Sequence, residues 1–434
     1  MKPTSGLRRV VSNASWIVTD RLIRLGVGFF VGVWVARSLG PSGYGTLSFG
    51  LAWTALFASA AKLGLDEIVV RELVARPESA SRTLGSAAAL RVTGAVTVVV
   101  ISLLAYLAFY GGADREQLLV VVLVGSANLF LTSDVIDWWL RSRVEWRFAF
   151  RARVLAFALS TAAKVTLLAV GAGVVWIASV TLVDAAFLAV FYTVELLRHP
   201  SRVKQWKPTW TRARELLSDS WPAIISSLAV MIYMRIDQIM IEAMMGDSDV
   251  GIYSAAVRLS EVWYVIPVAI SSSLTPRVVN ARSRGLVQYH RSLIGLIAFL
   301  FWVSVAVALV VTMLGPQVLV LLFGPAYQAA GPVLQVHFWA GVFVAMGVAI
   351  SRWFLAENRL RVSLYRSLAG MAVNVCLNLI LIPAIGLVGA ALATILSQFV
   401  QVYLSTALFK QSRPAWRLIN KSIVYPFRFL RKRR

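Results

Sequence analysis

The chain is 434 residues long, 59% apolar and only 15% charged, with 43 Lys and Arg set against 20 Asp and Glu for a formal net charge of +23. Soluble domains carry roughly 45–50% apolar residues, so this composition excludes an ordinary soluble domain and calls for a bilayer as solvent. One cysteine, Cys376, excludes an intramolecular disulfide, and His199, His290 and His337 are scattered, so no metal site is expected.

Crossing a bilayer takes roughly 20 helical residues at about 1.5 Å each. Apolar runs of that length fall in order at 11–37, 45–70, 86–110, 117–139, 148–171, 174–197, 217–243, 250–275, 286–314, 329–354, 362–383 and 386–409. None alternates polar and apolar residues as a membrane β-strand must. The expected fold class is an all-α polytopic membrane protein of about twelve transmembrane helices. The first run passes through Gly28, Trp34 and Arg37 without a small-residue cleavage site, which predicts a retained helix rather than a removed leader.

The junctions repeat. Gly40-Pro-Ser-Gly-Tyr-Gly45 and Gly246-Asp-Ser-Asp-Val-Gly251 each separate two apolar runs and lie 206 positions apart. At that offset Leu39-Gly40 answers Met245-Gly246, Arg71 answers Arg277, and Ala75-Arg76 answers Ala281-Arg282. Ile136-Asp-Trp-Trp139 reads against Ile350-Ser-Arg-Trp353 at an offset of 214. The pattern predicts two pseudo-repeated six-helix lobes around a central cavity: an N-terminal lobe at 1–197, a basic linker at 198–216, a C-terminal lobe at 217–411 and a basic amphipathic tail at 412–434. Halves repeated in this way are a common construction of transporters, with substrate bound between them.

Position decides what the positive charge is for. Thirty-five of the 43 basic residues fall at the termini and in alternate loops, among them Arg71, Arg76, Arg91, Arg141, Arg202, Lys204, Arg359 and the cluster from Lys410 to Arg434. The opposite loops carry Arg115 beside Asp114, Glu116, Asp247 and Asp249. By the positive-inside rule the basic loops and both termini are cytoplasmic, and the chain belongs in the cytoplasmic membrane. That distribution leaves no case for a nucleic-acid partner. The sequence has no Walker A loop, dinucleotide-binding turn or nucleophile elbow, so neither enzyme activity nor a bound cofactor is expected.

Ala36-Arg37-Ser-Leu-Gly40-Pro-Ser-Gly-Tyr-Gly45-Thr-Leu-Ser resembles the signature of the bacterial and archaeal polysaccharide flippases, which belong to the multidrug/oligosaccharidyl-lipid/polysaccharide exporter superfamily. Leu322-Phe-Gly324-Pro-Ala-Tyr327-Gln-Ala-Ala-Gly-Pro-Val-Leu resembles that family's entry into its tenth helix. Length and helix number extend the resemblance over nearly the whole chain. It implies flipping of an undecaprenyl- or dolichyl-linked oligosaccharide by alternating access, with the bilayer, the lipid-linked glycan and polysaccharide assembly machinery as partners. Both motifs set helix turns and touch no cargo, so a multidrug exporter of the same superfamily is the alternative. A membrane-embedded glycosyltransferase or ligase would need a large outer loop, and the longest here, about 315–330, is short and apolar.

A lipid-linked glycan carries a pyrophosphate through hydrocarbon, and cations within the spans are the candidates to shelter it. Arg235 lies 8 residues before Ala243 and Arg258 lies 8 after Val250, which places both about 12 Å below one surface. Lys164 sits at a similar depth, and Arg24 lies nearer the cytoplasmic side. Tyr233, Trp263 and Tyr264 are candidate sugar contacts, ahead of Trp53 and Trp339. Asp184, Asp237 and Glu261 are candidates for coupling to a proton or sodium gradient, since desolvation readies a carboxylate for proton exchange.

Plainer readings compete. Arg258 and Glu261 are i,i+3 and Asp20 and Arg24 are i,i+4, so each pair can neutralise itself. A salt bridge to Lys164 would explain Asp184. Arg235 and Asp237 are i,i+2 and do not face each other, so each needs a partner elsewhere. Arg21, Lys62, Asp66 and Glu67 lie where they can snorkel. Trp16, Trp138, Trp139, Trp206 and Trp210 fit an interfacial aromatic belt. The tail is expected to lie along the inner leaflet.

Overall fold

The structure, a computed structural model, describes residues 4–112, 114–199, 205–283 and 285–425, and the side chains of 4–23 are not among what it describes. The expectations for Arg21, Trp16, Arg202, Lys204, the tail from 426, and the side chains of Arg277 and Arg282 therefore lie outside the described residues. In chain order the helices are α1 (Thr4–Ala61), α2 (Leu65–Ala75), α3 (Ala80–Tyr110), α4 (Arg115–Phe130), α5 (Asp134–Ser142), α6 (Trp146–Ala169), α7 (Val174–Arg198), α8 (Trp210–Met245), α9 (Asp247–Ser283), α10 (Leu286–Phe323), α11 (Ala330–His337), α12 (Ala340–Ala356), α13 (Leu360–Phe399), α14 (Ser405–Leu408) and α15 (Arg413–Ile423). No strand occurs among the described residues. Large apolar side chains point outward, with Phe109 80% and Leu321 75% exposed, as a protein solvated by acyl chains requires.

Nine stretches of the described chain are long and apolar enough to span a bilayer. Two of them hold two spans each, because α1 breaks at Gly40 and α13 breaks at Ile385 and Gly386. With α9, which is 37 residues long but more polar, they account for the twelve spans expected.

Gly40 has φ 67° and Gly246 has φ 94°, so the two glycines of the repeated step both occupy the left-handed region. There the lack of a Cβ removes a penalty of about 1–2 kcal/mol. Pro41 follows Gly40 at the start of the second helical segment, where its missing N–H has no intrahelical acceptor to lose. The remaining odd-to-even joints carry Gly111, Gly171, Gly324 and Gly386, all at positive φ. On the opposite end, Val144 and Asn358 share a left-handed backbone (φ 60° and 53°) at the 214-residue offset of the tryptophan motif.

A Cβ built on Gly40 meets nothing within 4 Å, which separates backbone strain from crowding. Gly40→Val should therefore lower the melting temperature in detergent, by about 1–2 kcal/mol of stability from strain alone. Gly125→Ala, also in open space but with ordinary φ, should leave it unchanged. Equal melting of both variants would show that the left-handed joint carries no strain.

The contacts divide the chain into two units, Met1–Met231 and Ile232–Arg434. In the first, Leu65, Val69, Leu84, Ile136, Trp138, Trp139, Tyr192 and Leu216 form the core, with Trp206 against it. Trp138 (3% exposed) and Trp139 (1%) thus belong to the interior, not to the interfacial belt expected of them. Trp53 is also core, its indole N–H donating to Ser102 O at 3.2 Å. Trp210, 78% exposed, fits the belt.

Two expected spans of this unit are interrupted. The run at 45–70 stops at Ala61 and resumes at Leu65, through left-handed Leu63 and Gly64. Gly64 packs so closely on α8 that a Cβ there would lie 2.7 Å from the Cβ of Ala223. The run at 117–139 is interrupted at Leu131–Ser133. Arg91, 2% exposed, joins both breaks: Nη1 donates to Ala61 O at 2.6 Å, and Nη2 donates to Leu131 O at 2.9 Å and to Asp134 Oδ2 at 3.4 Å. The described end of the linker is fastened to α3, with Lys207 N donating to Ser81 O (3.2 Å) and Thr209 N to Ser86 Oγ (3.0 Å). Arg212 at the start of α8 pairs with Glu72 at 2.6 Å.

In the second unit the core gathers Tyr289, Leu293, Ile297, Met346, Ile350, Trp353, Phe354 and Val402. Ile350 and Trp353 are thus as buried as Ile136 and Trp139, their partners in the repeat. The run at 329–354 is divided into α11 and α12. Arg366, 4% exposed, donates to Gln401 O (3.0 Å) and Val402 O (3.4 Å), carbonyls of the wide π turn at Val400–Leu404, and lies 4.4 Å over the ring of Phe354. The described part of the tail departs from expectation. Ala415, Leu418 and Ile419 of α15 join the core, so its apolar face is spent on the lobe rather than on lipid.

Candidate functional site

The ionisable residues singled out from the spans fall into two groups, one in each unit. In the first, α1 packs on α6, and the Arg24 guanidinium lies 5.4 Å over the ring of Phe157. Phe157, Ser160 and Lys164 follow one another at i,i+3,i+7, which puts them on one face of α6. Ser160 Oγ donates to Asp184 Oδ1 of α7 at 2.7 Å. The hydrogen bond shown for Asp184 thus comes from Ser160, a residue that sequence reasoning passed over. Arg24, Lys164 and Asp184 are all half-buried.

In the second unit the tight turn at Gly246 returns α9 alongside α8. Arg235 is ten residues from the end of α8 and Arg258 eleven from the start of α9, so both lie roughly 15 Å from the turn along their axes. Arg235 Nη2 meets Glu261 Oε2 at 3.3 Å, each side chain about a quarter exposed. The ion pair found for Glu261 is therefore interhelical, where the sequence offered Arg258 one turn away. It also supplies the partner that the i,i+2 spacing denies Arg235 on its own helix.

Asp237, 4% exposed, accepts from the Tyr253 hydroxyl of α9 and from Gln238 N at 2.9 Å. Tyr253 also meets Thr394 of α13 and stands edge-on to His337, ring centroids 6.1 Å apart. On α13, Asn378 Nδ2 donates to Asn374 Oδ1 (3.2 Å), and Asn374 Nδ2 donates to Ser397 Oγ (3.3 Å). Tyr253, His337, Asn374, Asn378 and Thr394 were not singled out from the sequence. The signal available was Asn374 and Asn378 at i,i+4 inside an apolar run, a spacing that puts two amides on one buried face.

Trp263 and Tyr264 close against α12. A Cβ on Gly341 would come within 3.1 Å of Trp263 and 3.4 Å of Tyr264. The Trp263 indole N–H is buried with no hydrogen-bond partner among the described residues. Trp339, by contrast, spends its indole N–H on Thr312 Oγ1 at 3.1 Å. Tyr233 is half-buried on α8. A groove of about 430 Å³ at the start of α8 is lined by Glu72, Arg76, Arg212, Arg214, Glu215 and Asp219. Its charges cancel: Glu72 and Glu215 are bound to its own arginines, and Asp219 pairs with Arg71 nearby.

The polysaccharide biosynthesis protein family matches residues 10–282, well over half of the chain. The chain belongs to that family. The MatE family matches residues 222–380. Among curated relatives, the "Probable flippase AglR" of Haloferax volcanii is 26% identical over 390 residues, covering 86% of this chain and 77% of the relative. The "Probable low-salt glycan biosynthesis flippase Agl15" of the same organism is 26% identical over 227 residues, and the match spans about half of each chain, 50% of this one and 48% of the relative. The fold is shared with an inward-facing multidrug resistance MATE family transporter of the MOP superfamily, TM-score 0.76 at 19% identity over 92% of this chain and 95% of that one. It is also shared with the lipid II flippase MurJ in an inward closed conformation, TM-score 0.73 at 13% identity over 96% and 92%. This member of the polysaccharide biosynthesis protein family is thus a multi-span helical membrane protein whose relatives are named as flippases.

Proposed function

We propose that this family member is a flippase that carries a polyprenyl-pyrophosphate-linked oligosaccharide across the cytoplasmic membrane by alternating access, for cell-surface polysaccharide biosynthesis. The observation that carries the reading is the presence of cations at membrane depth in both units, Arg24 and Lys164 in one, Arg235 and Arg258 in the other. A charge at the bilayer centre costs at least about 2.5–3.5 kcal/mol, and an anionic headgroup is a cargo chemistry that such charges attract, Arg235 from within its pair with Glu261. Trp263, with its unspent N–H, and Tyr233 and Tyr264 supply stacking surface and donors for sugar rings. Asp237, the most buried of the three candidate carboxylates, leads for ion coupling, with the half-buried Asp184 and Glu261 behind it.

Glycan export in a strain lacking its own flippase tests the function. The parent chain should restore export without changing resistance to cationic drugs. Drug resistance without export would move the chain to the multidrug exporters of the superfamily.

Orientation is checked separately. Of the 35 basic residues that the sequence assigns to the termini and alternate loops, Arg91 and Arg366 are buried in helices; on the rest, both termini should be cytoplasmic. In a Cys376→Ser background, single cysteines at Arg115 and Asp249 should react with an impermeant thiol reagent in intact cells. A cysteine at Lys204 should react only after permeabilisation, and labelling of it in intact cells would invert the assignment.

A further inference from the structure

We infer that α15 carries a docking stripe for anionic phospholipid headgroups, built from Arg413, Arg417 and Lys421. The three residues stand at i, i+4 and i+8, so they form one row along the helix. All three are exposed, as is Lys410 just before them. Ala415, Leu418, Ile419 and Ser422 occupy the opposite side and are buried. Leu418 and Ile419 pack with Tyr289, Leu293 and Ile297 in the core of the unit.

Two hydrogen bonds, one to a side chain and one to the backbone of the helix, fix it in that orientation. Tyr403 Oη donates to Asn420 Oδ1 at 2.8 Å, and Trp302 Nε1 donates to Ile423 O at 3.2 Å. The row of cations is thus held outward by the fold and is not free to roll inward.

Charge balance singles out the partner. No acidic residue occurs after Glu357 in the sequence. Among the described residues no carboxylate pairs with Lys410, Arg413, Arg417 or Lys421. The stripe therefore presents uncompensated positive charge. Its position puts that charge at a membrane surface: α13 and α14 end the last apolar stretch at Leu408, and Leu408 itself is 66% exposed. Arg413 follows five residues later, within about 17 Å of that end even if the chain were fully extended. This is the depth of the headgroup layer, where each basic residue gains from anionic lipid and little from zwitterionic lipid. An interfacial helix ordinarily uses its apolar face to enter the leaflet. Here that face is occupied by the protein, so the attraction left is electrostatic, selective for headgroup charge and screened by salt.

The proposal does not depend on the cargo, and its test needs no transport. In the Cys376→Ser background, a bimane placed on a cysteine at Gln411 reports nearby lipid in nanodiscs containing nitroxide-headgroup phosphatidylglycerol or nitroxide-headgroup phosphatidylcholine. Quenching by the glycerol lipid should exceed that by the choline lipid about fivefold or more at low salt, and the preference should fall at high salt. Arg413→Gln, Arg417→Gln, Lys421→Gln together should erase the preference while the melting temperature in phosphatidylcholine stays that of the parent. Arg413→Lys with Arg417→Lys should keep it, which excludes a folding artefact. Equal quenching by the two lipids in the parent overturns the inference. So does a triple-Gln variant that retains the preference, or a parent that instead retains a co-purifying protein through these three side chains.

Discussion

Arg91→Met should be the most damaging single change to the stability of the first unit. The guanidinium is 2% exposed and holds the carbonyls on which two helical segments end, Ala61 and Leu131, together with the carboxylate of Asp134. Methionine fills a similar volume and satisfies none of the three. The change leaves two buried carbonyls unpaired and a membrane-embedded carboxylate without its cation, and breaking a buried pair from one side costs about 3–5 kcal/mol. Lysine should recover part of the loss, because one ammonium cannot fork to three acceptors as a guanidinium does. Thermal denaturation in detergent measures the order parent, Arg91→Lys, Arg91→Met. Adding Asp134→Asn to Arg91→Met should restore stability partway by removing the stranded charge. A methionine variant as stable as the parent would mean that water, not Arg91, satisfies the two helix ends.

Removal of cationic charge from α8 and α9 should have the largest effect on export. A hydrogen bond to a charged group contributes about 1.5–3 kcal/mol, and every 1.4 kcal/mol is about tenfold. On the proposed role, Arg258→Gln should therefore cut glycan export about tenfold or more at normal membrane abundance. Arg235→Gln should do the same, with Arg235→Lys retaining more, because charge rather than fork geometry offsets a pyrophosphate in low dielectric. The Arg235–Glu261 pair adds a control. If Arg235→Gln is inactive only because Glu261 is left without its partner, then Arg235→Gln with Glu261→Gln should export normally, and Arg235 would be structural. Persistent loss in the double variant supports contact with the cargo. Export equal to the parent in both single Gln variants would remove these arginines from the anion's path.

The element pattern was legible because bilayer spans and left-handed joints are both written locally. Twenty apolar residues announce a span, and Gly40 and Gly246 announce the joints because no other residue takes that backbone without strain. Breaks inside spans were not legible, since what stops the helix at Ala61 and Leu131 is a side chain on another helix, Arg91. Composition placed that arginine in a cytoplasmic loop cluster, and only tertiary structure shows it capping two helix ends. Trp138 and Trp139 misled for the same reason, as a tryptophan near a span end looks interfacial until the small helix carrying it, α5, folds under its neighbours. Of the candidate site, the charges were visible because charge in an apolar run is conspicuous. Their partners were less so: Tyr253, which meets Asp237 from the next helix, is an ordinary residue for a membrane helix, and Thr394, which meets Tyr253, lies more than a hundred residues further along the sequence.

The single-glycine joint at Gly40 has a mechanical consequence. A helix pair linked by a long loop can slip by a turn, one member sliding past the other. A pair hinged on one residue cannot, because the backbone leaves no slack for a 5.4 Å step. With α1 turning at Gly40 and α8 passing to α9 through Gly246, each such pair is a lever whose two arms share one short joint. On the proposed role, a rotation of one arm would carry the other with it, so the moving parts would be counted in hairpins rather than in helices.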